Sequence, residues 1–579
     1  MSDIPRPEYP RPQLERESWL NLNGIWQFEM DPGRSGIDRG LPNAERLSGE
    51  ILVPFPPESP LSGVGYRDFI PAVWYRRTFE IPQSWESKRI LLHFEASDYR
   101  TRVYLNGKEI GSHRGGYTPF TFEITDSVKS GENALVVYVE DDTRSPLQPT
   151  GKQSTAYHSH GCVYTRTTGI WQTVWLEAVP HTYISRLRMI PIMGEGSLLV
   201  NVELDGYETD MVLIAKIFMD GDKVLETRTN CPGYKASLII SPPEIRPWSP
   251  EDPFLYDMTL TLERDGEVID EVRSYFGIRS VGIKGPAVTI NGKPVFMRLV
   301  LDQGFYPDGI YTAPSDEALK RDIELSLAMG FNGARLHEKV FERRFLYWAD
   351  RLGYMVWGEF PNWGLDHSDP ASLERFLVEW LTVLERDINH PAIIGWCPFN
   401  ETPADQNPEF IRTVYRVTKQ VDPTRLVIDT SGYTHVETDL YDVHCYDQNP
   451  ESFASRFKPL AEGGEAWRNR PDRDAPYRGQ PYWVSEYGGT WWNPEQKDEK
   501  GWGYGDRPRS EEEFLDRYRK LTEALLRHPR MCGFCYTQLY DIEQEVNGLH
   551  TYDRRPKFDP AKIREINSQK AAIEEEVSG

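Results

Sequence analysis

Two rhythms of apolar residues divide the chain. Residues 1–180 carry VWYRRTFEI, RILLHFEA, RTRVYLNGKEIG and NALVVYVED, strand-length blocks that alternate or run apolar between Gly- and Pro-bearing turns. Asn106-Gly107 falls between two such blocks, a strong hairpin signal. This predicts a β-sandwich of the jelly-roll kind. Residues 181–283 repeat the rhythm in SLLVNVEL, MVLIAKIFMDGDKVLE, ASLIIS and LYDMTLTLERDGEVIDEVRSYFG, which suits an immunoglobulin-like β-sandwich.

From residue 284 to 579 apolar strand-like runs alternate with helix-like segments. The runs are VFMRLVL (295–301), NGARLH (332–337), MVWGEF (355–360), IIGWCPF (393–399), RLVIDT (425–430), YDVHCY (441–446), YWVSEY (482–487) and MCGFCYTQL (531–539). Between the first two, Ser315 is placed to cap a helix whose Leu319, Ile323 and Leu327 line one face, and Gly330 to end it. This alternation predicts a (β/α)8 TIM barrel. The expected fold is therefore multidomain: jelly roll, immunoglobulin-like sandwich, barrel.

Composition narrows the partners. A net charge of -23 without a Lys/Arg run argues against nucleic acid. No window of 18 apolar residues predicts a membrane span. The start, MSDIPRPEYPRPQ, has no basic stretch followed by an apolar one, so a cytoplasmic location is expected. The six cysteines are scattered, and Cys532 and Cys535, three apart on a predicted strand, point to opposite faces and read as plain buried thiols. The oligomeric state, a homo-oligomer included, stays open.

Reactive residues of a barrel sit at the C-terminal ends of its strands. The fourth run closes on Asn400-Glu401, and the seventh on Glu486 before Gly488-Gly489. Two carboxylates on one rim are the machinery of glycoside hydrolysis, one protonated to serve the leaving oxygen and one ionised to face the anomeric carbon. The bland alternative pairs each Glu with a barrel Arg.

WYRRTFEI, VYLNGKEIG and TTGIWQTVWLE, then PWSPEDPFLYDMTL and FGIRSV, then GFNGARLHE, GWCPFNE, DVHCY and WVSEYGG follow one another along nearly the whole chain. In these motifs and their order the chain resembles glycoside hydrolase family 2, the group of β-galactosidases, β-glucuronidases and β-mannosidases. The resemblance implies that Glu401 is the general acid/base and Glu486 the nucleophile of a retaining reaction. It implies that Asn400 binds the sugar 2-hydroxyl, that Arg335 keeps the nucleophile ionised, and that Tyr446 donates to Glu486. His444 and His337 fall near the site, either as participants or as satisfied buried histidines. No cofactor or metal is implied, and the partner is an oligosaccharide or glycoside.

The chain departs from the pattern at three places. RLVLDQGFYPDG stands where galactosidases have an Asn…His-Glu motif, and Asp302 and Gln303 are expected to take over those sugar contacts. Tyr536 in FCYTQL stands at the family's floor tryptophan. The Asn-x-Lys motif of glucuronidases is missing from DIEQEVNGLHTYDRRPK. A β-galactosidase-like exo-glycosidase is the first expectation. Arabinofuranosidase, galactofuranosidase or glucuronidase specificity stays open, and a non-catalytic carbohydrate-binding protein is the rival from another class.

Other residues carry two readings each. The loop GGTWWNPEQKDEKGWGYGDRPRS brings Trp491, Trp492, Trp502 and Tyr504 to the rim, and at least one tryptophan, Trp492 foremost, is expected to stack on a sugar. Glu359 is either a pocket residue or a cap or Arg partner. The acidic DIEQE cluster reads as a solvated loop ahead of a cation site. Lys152-Gln153 sits on a Gly-flanked loop that either reaches over the barrel mouth or is an ordinary turn.

Overall fold

The structure, a computed structural model, describes residues 4–495 and 501–576. The first region is a sandwich. A six-stranded sheet runs Gly49–Val53, Gly24–Met30, Ala72–Glu80, Glu132–Glu140, Arg100–Leu105, Lys108–Arg114. It faces a four-stranded sheet of Trp19–Asn21, Val174–Val179, Arg89–Phe94 and Phe120–Glu123. Trp26, Tyr75, Leu92 and Val103 fill the core between them. Asn106 and Gly107 both have left-handed backbones (φ 51° and 82°), the geometry a two-residue hairpin demands.

The second region packs Tyr183–Ile192, Ser197–Asp205 and Lys235–Ile240 against Asp222–Asn230, Met211–Met219, Tyr256–Arg264 and Glu267–Phe276. All pairs are antiparallel. Strict alternation fixes which face is buried: Ala236, Leu238 and Ile240 turn inward while Lys235, Ser237 and Ile239 turn out.

The barrel strands are β1 (Met297–Asp302), β2 (Gly333–Leu336), β3 (Met355–Glu359), β4 (Ile393–Cys397), β5 (Leu426–Val427), β6 (Tyr441–Cys445), β7 (Tyr482–Gly488) and β8 (Met531–Thr537). They form one parallel sheet in the order β5-β4-β3-β2-β1-β8-β7-β6. Helices follow β1, β2, β3, β4, β6, β7 and β8; among the described residues none lies between β5 and β6. Ser315 caps the helix Asp316–Ala328 by accepting from Ala318 N–H, and Gly330 follows with φ 80°.

The sheet curls but its two end strands, β5 and β6, share no main-chain ladder. Asp442 on β6 instead binds the segment that follows β5. Its Oδ2 accepts from Ser431 Oγ at 2.9 Å and from Gly432 N–H at 3.0 Å. No helix in the described residues is long and apolar enough to cross a membrane.

Candidate active site

The β4 segment does not run straight into Glu401. After Pro398 the chain re-pairs, Phe399–Asn400 lying parallel to Thr430–Ser431. Glu401 then takes a left-handed backbone (φ 47°), and its N–H donates to Ser431 O at 2.9 Å. Such a backbone costs a non-glycine residue about 1 kcal/mol. It turns the carboxylate out of the strand and across the mouth. Glu486 reaches the same place from within β7, where every residue is buried.

The two carboxylates meet at His444, the last but one residue of β6. His444 Nδ1 lies 2.8 Å from Glu401 Oε1 and 3.4 Å from Glu486 Oε2. One oxygen of Glu401, one of Glu486 and a nitrogen of His444 all fall within 4.8 Å of one another. His444 Nε2 is 3.0 Å from Ser431 Oγ, so both ring nitrogens are engaged. Burial alone would lower the His444 pKa; the charges of Glu486 and Glu401 and the bond to Glu401 outweigh it and raise it.

Glu486 is held on several sides. Arg335 NH1 donates to its Oε1 at 2.9 Å, and Tyr446 OH donates to its Oε2. Burial would raise this carboxyl; His444, Arg335, His337 and the Tyr446 hydroxyl override it and hold the pKa well below the usual range. Arg335 is only 1% exposed and uses its whole fork. Nε donates to Glu359 Oε1 at 2.6 Å and NH2 to Asn400 Oδ1 at 3.1 Å. His337 Nδ1 is 3.0 Å from the other Glu359 oxygen. Glu359 is therefore an Arg partner that braces the guanidinium, and His337 braces Glu359.

Asn400 is built from both ends. Its N–H donates to Asn362 Oδ1 at 2.7 Å, and its carbonyl accepts from Trp363 Nε1 at 3.2 Å. Its amide oxygen is taken by Arg335, which leaves Nδ2 buried without a partner. A buried donor left without a partner is unusual in a folded protein.

The other expected residues lie elsewhere. Tyr536 packs between Tyr487 and Tyr518 of the helix Glu511–Leu526 (centroids 5.4 and 4.9 Å), so it lines the sheet–helix interface and not a sugar floor. The next residue, Thr537, faces the site, its Oγ1 3.1 Å from Tyr446 OH. Trp492 is 93% buried and packs toward Phe514, behind the loop. Among the described residues of this loop, Tyr504 reaches the site, stacked on Tyr446 at 3.7 Å and 8°.

Asp302 is bound internally, accepting from Tyr540 OH at 2.5 Å and Gly304 N–H at 3.0 Å. Burial, then the charge of Asp322, pushes its pKa up to about 6. Gln303 donates to Tyr164 OH at 3.0 Å and Gln538 Oε1 at 2.7 Å. It thus ties the first sandwich to β8. The DIEQE cluster is not solvated. Asp541 pairs with Lys557 at 2.6 Å, Glu543 accepts from Thr165 Oγ1 at 2.5 Å, and Glu545 accepts from Tyr164 OH. Cys532 and Cys535 are buried free thiols.

Three family models cover the chain in sequence. The glycosyl hydrolases family 2 sugar binding domain matches residues 20–180, the family 2 central model 182–279, and the family 2 TIM barrel domain 281–569. The chain belongs to glycosyl hydrolase family 2. A β-galactosidase of Thermoanaerobacter pseudethanolicus is 26% identical over 448 residues, 74% of this chain and 56% of the relative. A β-glucuronidase of Paenibacillus borealis is 25% identical, covering 72% of this chain and 73% of its own. The chain thus spans about half the length of the first of these relatives, and 44% of a putative β-glucuronidase from Formosa agariphila. The fold is also that of Ruminococcus gnavus β-glucuronidase, with a TM-score of 0.79 at 20% identity, over 98% of this chain and 99% of the other.

Proposed function

We propose that this family 2 protein is a retaining exo-glycosidase in which Glu486 is the nucleophile and Glu401 the general acid/base. The observation that carries the reading is the approach of the two carboxylates, one oxygen of each within 4.8 Å across His444. Retaining pairs stand about 5 to 5.5 Å apart and inverting pairs about 6.5 to 9.5 Å, with room for a water between them. Here one oxygen of each lies within 4.8 Å of the other, with His444 Nδ1 beside both.

The steps follow from the groups. Ionised Glu486 attacks the anomeric carbon while Glu401 gives its proton to the departing oxygen, so the glycosidic bond breaks as an ester to Glu486 forms. Glu401 then takes a proton from water, whose oxygen attacks the same carbon and frees Glu486. Arg335 and Tyr446 keep Glu486 ionised and aimed. Asn400 Nδ2 is free to donate to the 2-hydroxyl, a contact that strengthens in the transition state.

The relatives named above are β-galactosidases and β-glucuronidases, which supports a β-linked hexose-type glycone at the end of an oligosaccharide or glycoside. The absent Asn-x-Lys motif favours the galactoside side for the barrel itself. The division at residues 180 and 283 belongs to the same proposal. The test is initial rates on p-nitrophenyl β-galactopyranoside, β-glucuronide, β-mannoside, β-galactofuranoside, α-L-arabinofuranoside and α-L-arabinopyranoside, with wild type and Glu486→Ala. Cleavage of one sugar, lost in the variant and restored by azide as a product of inverted configuration, is the expected result. Equal rates in both proteins would overturn the nucleophile.

A further inference from the structure

One cation of this pocket forms no ion pair among the described residues. Arg335 is consumed by Glu359, Glu486 and Asn400, and His444 by the two carboxylates. Lys152 comes from the first sandwich. It is 95% buried, yet among the described residues its ammonium makes neither a hydrogen bond nor an ion pair. Its one close partner is the face of Trp363, 3.6 Å from Nζ to the ring centroid. Trp363 in turn donates to Asn400 O at 3.2 Å. The ammonium therefore stands one ring away from the residue beside Glu401.

The surroundings explain why it is left over. Its titratable neighbours are Glu401, Glu486, Glu338, Glu545, Cys162 and His337. Glu401 and Glu486 are turned to His444, and Glu545 to Tyr164 and Asn547. Burial drives the Glu338 carboxyl pKa well above the ordinary range against the pull of Lys152, which weakens it as a counter-ion. Lys152 itself stays an ammonium: burial lowers its pKa, but the facing Cys162, Glu401, Glu338 and Glu486 leave it raised.

The position is imposed by the backbone. Thr150 N–H donates to Trp363 O at 2.8 Å, Tyr164 N–H donates to Lys152 O at 2.7 Å, and Gly151 has φ 55°. A Cβ on Gly151 would meet Glu338 O at 2.4 Å, so the loop lies directly on the barrel rim. An ammonium on a side chain this buried, whose one close protein contact is a π face, has three donors to place. A neutral sugar above it would strip water and leave the charge uncompensated. An anion would compensate it.

We propose that Lys152 is a specificity-determining residue, supplied by the first sandwich, that takes an anionic substituent of the bound sugar, a carboxylate or a sulfate ester. The proposal rests on the reading of Glu401 and Glu486 as the reacting pair only for where the sugar sits. It gives the pocket a cation from a module other than the one that carries the glucuronidase motif missing here.

The experiment compares matched ligands. Rates are measured on p-nitrophenyl β-galactopyranoside, its galacturonide and its 6-sulfate, and on the glucoside–glucuronide pair, with wild type, Lys152→Met and Lys152→Arg. Wild type is expected to favour the anionic member of at least one pair. Lys152→Met should lower the anionic-to-neutral ratio of kcat/KM by roughly 10- to 100-fold, the range of a charge-assisted hydrogen bond, while Lys152→Arg retains most of it. The galacturonide and 6-sulfate arms separate carboxylate from sulfate. A ratio that Lys152→Met leaves within about twofold, or a wild type that favours the neutral member of every pair, overturns the proposal. Equilibrium titration of tryptophan fluorescence with galactose, galacturonate and galactose 6-sulfate reads the same ratio without turnover. A protein that hydrolyses nothing but keeps a Lys152-dependent preference in that titration would sink the glycosidase reading and leave this one standing.

Discussion

His444 Nδ1 is shared by the two carboxylates, 2.8 Å from Glu401 and 3.4 Å from Glu486. Because its pKa is raised, the charge persists above the ordinary histidine range and is lost as pH climbs through the raised value. The two carboxylates then face each other with nothing positive between them. His444→Asn should lower kcat/KM on an aryl glycoside on the order of 100-fold and flatten the alkaline limb of the pH–rate profile. An unchanged profile in the variant would show that the imidazolium has no part in the rate.

Asn400 Nδ2 has no acceptor among the described residues. Asn400→Ala should cost roughly 100-fold in kcat/KM on a substrate that keeps its 2-hydroxyl. On the 2-deoxy analogue wild type and variant should nearly coincide. Equal losses on both substrates would mean that the amide serves only to hold Arg335.

Removing Arg335 strands two buried carboxylates. Arg335→Met should destabilise the fold by about 3–5 kcal/mol, measured by urea unfolding, because Glu359 and Glu486 lose their shared partner. A loss below about 1 kcal/mol would mean that the carboxylates find other partners.

Tyr504 and Trp492 belong to one loop but face different neighbours. Tyr504→Leu removes the ring stacked on Tyr446 and should lower kcat about 3- to 10-fold. Trp492→Leu opens the packing near Phe514 and should lower the melting temperature while kcat/KM holds within about twofold. Reversed effects would place the tryptophan, not the tyrosine, against the substrate.

His435 pins the loop between β5 and β6, with Nδ1 2.8 Å from Asp429 Oδ1 and Nε2 2.9 Å from Asp442 O. Burial opposes its charge, but Asp429 and then Asp442 and Asp474 push its pKa up to about 10. An unfolded histidine titrates near pH ~6.5. The stabilisation is therefore complete below that pH and fades as pH rises through about 10. Stability of the wild type should fall across this window, and His435→Gln should be weaker at neutral pH with a flatter slope. A parallel slope in both would clear His435.

How much was legible in the sequence depended on the kind of information needed. Strand ends are visible as apolar runs that stop, which places Glu401 and Glu486 at the rim by the rule of the barrel, while Arg335 and Tyr446 rest on the family resemblance; the structure brings all four together. Parity within a strand is not visible. Tyr536 and Thr537 differ by one position, and only the observed pairing of β8 turns the first to the helices and the second to the site. Tyr504 and Lys152 depend on how a loop and a separate sandwich dock, which no local pattern encodes. RLVIDT reads as one six-residue run because it is apolar enough, but the ladder is interrupted at Asp429, whose carboxylate turns to His435 and Thr430 N–H, and resumes at Thr430–Ser431 beside Phe399–Asn400.

The gap between β5 and β6 makes this barrel a split ring rather than a hoop. A hoop resists widening with every main-chain bond around its circumference. A split ring yields at one line, and here that line is stitched by Ser431, Gly432, His435 and Asp442. Glu401 hangs from one lip through Ser431, while His444 rides on the other and Glu486 sits on the adjoining β7. Any flexing at the stitch thus changes the distance between proton donor and nucleophile directly, with the backbone ladder left intact.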